Sequence, residues 1–393
     1  MAFTPGPPQR SGGAVYAGAL LAGLAAHARV TAVSPVPIDW DGPTVAPEAF
    51  EPRPGDVLLH FLGNNPEHLF AYRSALRWGG VVVCHDVVLH HVLRGFAPDE
   101  ELADATVQLG HPAAAALLDR WDRGMAGTEE FLLPLISRPL RRAEAVVVHS
   151  RYAGFMVQAE APTVPVHVVS QHGGAVPEST GDDDGAALRA RLALPADAFV
   201  AGLFGYLGPH KRIHESLLAL AAARPAIEAS GRRLHVLLVG VAVGIDPAAM
   251  LAAVGLTDIA TVTGPVDDRR FFDHLVATDV VLNLRYPTMG ESSATMMQAM
   301  SCAKPVITTD HAQFAEERAA IRVPVGEGEV AAITAAVVQL ATCPTCYAAV
   351  AAASRARAAQ GAIDRVAARW LEVVDSILRA RTSADFVPRW GWS

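Results

Sequence analysis

Lysine occurs only twice in the 393 residues, at 211 and 304, and each falls in a stretch whose residue types suit an anion. In FGYLGPHKRIHES, residues 204–216, Gly205 and Gly208 stand beside Lys211 and Arg212 between an apolar run and a helical one. Two fixed positive charges are then expected at the C-terminal edge of a sheet. A cation at a helix N-terminus opposes the helix dipole, and a bound phosphate relieves that conflict. In VVLNLRYPTMGESSATMMQAMSCAKPVITTD, residues 280–310, a turn with Pro287 and Gly290 leads into a helix opened by Ser292 or Ser293. Gly290 lets the backbone approach a ligand, the serines can cap free N–H groups, and the helix start offers unpaired donors and a positive dipole end. Both stretches read as phosphate cradles.

A second group of polar residues lies in the first half. His85-Asp86 follows the apolar run 81–84, with His90 and His91 shortly after. Such a set suggests a metal cluster of the HD-phosphohydrolase kind, but those motifs belong to all-helical surroundings, whereas this pair ends a strand. The preferred reading has no metal, with His90 and His91 as plain helix residues on differing faces. Asn64 and Asn65 read either as turn formers or as contacts to an acceptor or sugar.

These residues need a scaffold that gathers strand ends. Strands are expected at residues 1–4, 30–34, 56–62, 81–84, 145–149 and 166–170, with helices at 14–27, 67–78 and from Arg151, and a largely helical stretch over 87–142. The turn-rich, acidic run PESTGDDDG, residues 177–185, is the linker candidate. Beyond it the alternation restarts: strands at 200–205, 235–239, 259–263, 280–284 and 306–309, helices at 213–223, 247–254, 269–277 and 330–341. Alternating strands and helices imply parallel sheets. The expected domains are residues 1–176, a linker 177–195, a second α/β domain 196–372, and a C-terminal segment 373–393. The final helix, 362–381, carries Val366, Trp370, Val373, Val374 and Ile377 on one face. Phe386, Trp390 and Trp392 beyond it are expected to strap back onto the first domain.

Composition narrows the partners. With 51% hydrophobic and 18% charged residues the chain can fill two cores, and a net charge of −8 without a long basic run argues against nucleic acid or an anionic membrane as main partner. No segment reaches the roughly 18 uninterrupted apolar residues of a membrane span. Arg10, the apolar run 14–26 and Ala26-His27-Ala28 imitate a secretory signal, yet the strand after them needs a crossover helix, and a helix is the preferred reading. CPTC at 343–346 follows a helical run and reads as a Pro-broken helix junction rather than a redox or zinc site, so a reducing cytoplasm is expected.

Taken together, GYLGPHKRIHESLLAL and RYPTMGESSATMMQAMSCAKPVIT resemble the donor-binding domain of retaining GT-B glycosyltransferases, family 4 in particular. PGPPQRSGGAVYAGALL resembles that family's acceptor-side glycine loop. LGNNPEHLFAY and VVVCHDVVLHH resemble a bacterial branch of it, and VVVHSRYA its strand-end serine segment. The resemblance implies a GT-B fold: two Rossmann-like domains facing each other across a cleft, with a C-terminal helix returning to the first. It implies transfer of a sugar from a nucleotide diphosphate donor to a hydroxyl of a small-molecule or glycan acceptor, with no cofactor and no metal.

Carried over by residue, the resemblance makes Lys211 the lysine on the diphosphate and His85 the histidine near the reacting carbon, with Glu291 as third catalytic candidate. Gly12, Gly13, Gly205, Arg212, Gly290, Ser292, Ser293 and Gln298 become donor-side residues, and Asn64, Asn65 and Asp86 acceptor-side ones. Two positions depart from the family: Tyr206 follows the glycine where arginine is usual, and Gly290 and Gln298 occupy the places of its paired glutamates. Cations and N–H dipoles aimed at a departing diphosphate lower the barrier to glycosyl transfer. A silent nucleotide-sugar-binding protein and a nucleotide-sugar hydrolase or epimerase are the rival readings.

Overall fold

A computed structural model describes residues 1–9, 12–125, 131, 133–173 and 185–382. The chain divides into two units, the first comprising Met1–Gln171, Met289–Ser292 and Ile363–Ser393, the second His172–Thr288 and Ser293–Ala362.

The first unit alternates strand and helix as β1 (Ala2–Phe3), α1 (Gly12–Ala25), β2 (Ala32–Val33), β3 (Thr44–Val45), β4 (Leu59–Leu62), α2 (Leu69–Trp78) and β5 (Gly80–Cys84). Among the described residues, the helices α3 (His90–Phe96), α4 (Pro98–Leu109), α5 (His111–Asp122) and α6 (Ser137–Arg142) follow β5 within the helical stretch. The unit continues with β6 (Ala143–Val148), α7 (Arg151–Glu160) and β7 (Val166–Val168). Its seven strands lie in the order β3-β2-β1-β4-β5-β6-β7, and the pairings are parallel. The central runs GVVVC of β5 and AVVV of β6 are buried throughout, as strands covered on both faces must be. Ser150 caps α7 by accepting from the Ala153 N–H, so a strand rich in β-branched residues hands over to a helix within two residues.

The second unit holds α8 (Gly185–Arg191), β8 (Ala198–Phe204), α9 (Ile213–Ala229), β9 (Arg233–Val239), α10 (Pro247–Ala253), β10 (Ala260–Val262), α11 (Asp268–Ala277) and β11 (Val280–Asn283). After them come α12 (Ala294–Ser301), β12 (Val306–Thr309), β13 (Ile321–Val323), α13 (Glu329–Thr342) and α14 (Pro344–Gln360). The sheet order is β10-β9-β8-β11-β12-β13, again parallel. Both sheets therefore reverse direction beside their first strand, the arrangement of doubly wound nucleotide-binding folds.

The last helix, α15 (Ile363–Thr382), belongs to the first unit over its whole length, whereas the sequence places the returning segment from residue 373. Its apolar face packs on α1, where Gly23 leaves room: a Cβ there would come within 3.2 Å of Ile363 and 3.3 Å of Ala367. Trp370 is fully buried and donates its Nε1–H to Tyr16 Oη at 3.1 Å. Arg381 holds Glu144 through two nitrogens and donates to the Asp56 carbonyl. The aromatic tail expected to act as a strap, with Phe386, Trp390 and Trp392, lies outside the described residues.

Four local expectations change. Part of the linker expected over 177–195 is α8, whose Leu188 and the following Leu194 enter the second unit's core. Arg189 fastens it, donating to the carbonyls of Ala277, Ala196 and Ala198 and to Asp279. The acidic run itself, residues 177–184, lies outside the described residues. Helix α9 runs past residue 223 and through Pro225, because burial of Ala223 and Ile227 outweighs the backbone hydrogen bond a proline removes. A short strand, β3, forms between the strands expected at 30–34 and 56–62 by pairing with β2. CPTC is the expected Pro-started junction between α13 and α14, but its two sulfurs are bonded to each other. Among the described residues no single helix is long and apolar enough to cross a membrane.

Candidate functional site

In the second unit the sheet reverses between β8 and β11, and the two stretches singled out in the sequence leave from these neighbouring strand ends. Gly205, directly after β8, has φ +87°, and a Cβ on it would sit 2.9 Å from Nζ of Lys211 and 3.4 Å from Oγ1 of Thr295. The positive φ favours glycine there, and any side chain would displace the Lys211 ammonium. The Lys211 ammonium is thus folded over the strand end, donating to the Phe204 carbonyl at 2.6 Å, with the first turn of α12 alongside.

Ser293, not Ser292, is the N-cap of α12. It accepts from the Met296 N–H and donates to Oδ1 of Asn283 at the end of β11. Thr295 in that first turn escaped the sequence reading, since its position emerges only once the cap is assigned. Gln298 lies three residues on, so the two share a helix face.

Arg212 is placed differently from expectation. Its Nε and Nη2 bond the two carboxylate oxygens of Glu329 at 3.0 and 2.6 Å, and Glu215 lies 3.0 Å from Nη2. The Glu329 side chain is 1% exposed and also accepts from the Gly326 N–H. Two carboxylates therefore pair with the charge that the sequence assigns to a donor phosphate, while Lys211 stands over the end of β8 beside the first turn of α12. Lys304 is also elsewhere: buried, it donates to the Val276 carbonyl at 2.6 Å, and burial lowers its pKa. It closes the C-terminus of α11 rather than holding a ligand.

The segment Met289–Ser292 groups with the first unit. Val87 and Val88 donate their N–H groups to the Met289 carbonyl, Gly290 has φ +76°, and a Glu291 carboxylate oxygen accepts from the Met289 N–H at 2.7 Å. Glu291 thus closes its own turn.

At the reversal point of the first sheet stands a histidine cluster. Gly12 opens α1, and a Cβ on Gly13 would lie 2.8 Å from Nε2 of His68 and 3.6 Å from Cδ2 of His85. A larger residue would drive α1 off the imidazoles. His85, just beyond β5, is 9% exposed and has Tyr16, Phe61, His68 and His149 as ring neighbours. Its Nδ1 lies 2.9 Å from Nε2 of His149. His68 is bonded through Nδ1 to the Phe61 carbonyl, and burial pushes its pKa down to about 4, so it is neutral near pH 7. His68 and His149 were missed as site residues although both stand in the quoted segments: His68 lies in the turn before α2, and His149, directly after β6, reads in the sequence as the last residue of its strand.

Asn64, Asn65 and Asp86 build the loop beside this cluster. Asp86 accepts from the Asn64 N–H at 2.7 Å, Asn64 accepts from the Val92 N–H and meets Nδ1 of His91 at 3.1 Å, and Asn65 caps the short turn Pro66–His68. His90 packs edge-on against Trp121. Among the described residues no group of three or more histidines, cysteines or carboxylates is arranged to hold a metal ion.

Residues 198–343 match the family model described as Glycosyl transferases group 1. No curated protein matches the sequence. Among solved structures, the Anabaena protein HepE in complex with UDP and glucose is 15% identical, covering 95% of this chain and 99% of its own, with a TM-score of 0.65. The sucrose-phosphate synthase of Thermosynechococcus elongatus is 16% identical over 93% of this chain and 94% of its own, TM-score 0.62. A glycosyltransferase from Rickettsia africae is 12% identical over 96% and 98%, also at 0.62.

Proposed function

Starting from a chain with the GT-B fold whose residues 198–343 match Glycosyl transferases group 1, we propose that it moves a sugar from a nucleotide diphosphate donor to an acceptor hydroxyl. The observation that carries this reading is the meeting of Lys211, the Gly205 backbone and the first turn of α12 at the β8/β11 reversal. A diphosphate needs a fixed cation and aligned N–H donors while it gathers charge as a leaving group, and these supply both. HepE has been crystallised with UDP and glucose, which makes UDP-sugars the first donors to try.

Retention at the anomeric carbon by front-face attack, assisted by the leaving phosphate, is the mechanism we assign. A double displacement would place a carboxylate nucleophile beside the sugar. The described ring neighbours of His85 are instead a tyrosine, a phenylalanine and two histidines, a surface suited to shielding and orienting a sugar. Lys211 and the α12 dipole take the place of a divalent cation, so turnover is expected to survive excess EDTA.

The test is a thermal-shift screen against UDP, GDP and dTDP sugars, followed by assay of the best donor with and without hydroxylated acceptors. A ligand at a hundred times its Kd raises stability by about 2.7 kcal/mol. Acceptor-dependent release of the nucleotide supports transfer. Equal release without acceptor identifies a hydrolase, and binding without turnover identifies a silent nucleotide-sugar-binding protein.

A further inference from the structure

The four cysteines are of two kinds. Cys84 is buried in β5 and Cys302 half-buried after α12, and burial pushes both thiols up, that of Cys302 to about 11. Neither carries much thiolate near neutral pH. Cys343 and Cys346 are different: they are half-buried, and a disulfide joins them where α13 breaks into α14.

Cys343 is the N-cap of α14, a helix of 17 residues with Pro344 as its first residue. Its Sγ accepts from the Cys346 N–H at 3.2 Å and lies 3.3 Å from Oγ1 of Thr345. Nε2 of Gln339, on the preceding helix, is 3.7 Å from Sγ of Cys346. A bond between residues three apart closes a very small ring, and so removes little freedom from the unfolded chain. As a staple it does little. What the surroundings favour is the thiolate of the open form, because negative charge on Cys343 would meet the positive end of the α14 dipole, a backbone N–H and a hydroxyl. A closed bond and a stabilised thiolate at the same position are the two halves of a reversible couple.

We propose that Cys343 and Cys346 form a redox-active dithiol–disulfide pair that exchanges with low-molecular-weight thiols and disulfides, with Cys343 as the entering sulfur. In the oxidising direction the Cys343 thiolate attacks one sulfur of a small disulfide RSSR, forming a mixed disulfide and expelling RS⁻. Cys346 loses its proton to solvent and attacks Sγ of Cys343, expelling the second RS⁻. The pair gives up two electrons, RSSR takes them, and the two thiolates leave as two RSH after protonation. Reduction by excess thiol runs the same steps backwards.

The experiment equilibrates the full chain in buffers of graded reduced-to-oxidised glutathione, quenches with an alkylating agent and reads each cysteine by mass spectrometry. The expected result is reversible conversion of Cys343 and Cys346 together, with Cys84 and Cys302 unchanged. In the single variants, Cys346→Ser should carry glutathione on Cys343 and react with iodoacetamide roughly tenfold faster than Cys346 does in Cys343→Ser. Serine is itself a favoured N-cap, so Cys343→Ser should keep the junction folded, which circular dichroism checks. Should that variant unfold, the wild-type dithiol gives the same ratio from alkylation rates at the two positions. A pair that stays reduced in excess oxidised glutathione overturns the proposal, as do equal reactivities of the two sulfurs.

Discussion

Nδ1 of His85 lies 2.9 Å from Nε2 of His149, and Nδ1 of His149 lies 2.9 Å from the carbonyl oxygen of Val169. A carbonyl only accepts, so His149 carries its hydrogen on Nδ1, and its Nε2, when the ring is neutral, accepts the hydrogen of His85 Nδ1. A neutral His85 then offers Nε2 as an acceptor. That atom suits a sugar hydroxyl, which donates, and does not suit a phosphate oxygen, which cannot.

His149 should therefore act as a positioning residue. His149→Leu, which keeps bulk but not the acceptor, is expected to lower kcat about tenfold or more with donor affinity little changed. His149→Gln, whose amide oxygen still accepts, should recover most of the rate. Nitrogen-15 NMR of the wild-type His85 ring supplies the direct check: a hydrogen on Nε2 instead of Nδ1 contradicts the assignment.

Lys211→Ala should cost on the order of a hundredfold or more in turnover and leave the fold intact. The side chain folds over Gly205 and contributes to no core cluster, so the melting temperature should move little. Near-normal kcat at saturating donor would exclude it from the diphosphate.

Arg212→Ala should act on stability more than on donor binding. It would leave the buried Glu329 carboxylate without its cation, a change worth about 3 kcal/mol or more, visible in denaturant titration. An unchanged midpoint combined with loss of UDP binding would instead return Arg212 to the donor.

Asp104 gives a pH signature. It is fully buried, accepting from Tyr72 Oη and the Ser137 and Arg138 N–H groups, and burial raises its carboxyl from 3.8 to about 6. The folded state thus binds this proton more tightly than the unfolded chain. Its stabilising share is complete below about pH 4 and disappears as pH rises through about 6, some 2–3 kcal/mol at about 1.4 per unit. Asp104→Asn removes that dependence, so the variant's stability measured against wild type should improve as pH is raised from about 4 to 7. Parallel curves would show that the carboxyl titrates alike in both states.

Trp370→Ala should destabilise the first unit by about 3–5 kcal/mol, since the indole is fully buried against Phe61 and donates to Tyr16. Chemical denaturation followed by first-unit probes reads the loss. A shift under about 1 kcal/mol would mean that α15 is not integral to this core.

Local order in the chain was enough for the alternation of strands and helices, because burial on both faces writes continuous apolar runs such as GVVVC and amphipathic spacing such as Val366, Trp370, Val373 and Ile377. It also placed Lys211, Gly205 and a serine-capped helix start after strands, since caps and glycine turns act within a few residues. It stopped where partners are distant. Glu329, which claims Arg212, is 117 residues away in the chain, and His149, which orients His85, is 64 away. Nothing in the stretch around Arg212 distinguishes a guanidinium reserved for a buried carboxylate from one open to a phosphate. Only the tertiary structure decides that, because charge pairing depends on distance in space and on the cost of burying an unpaired ion, and neither is written in the neighbouring residues.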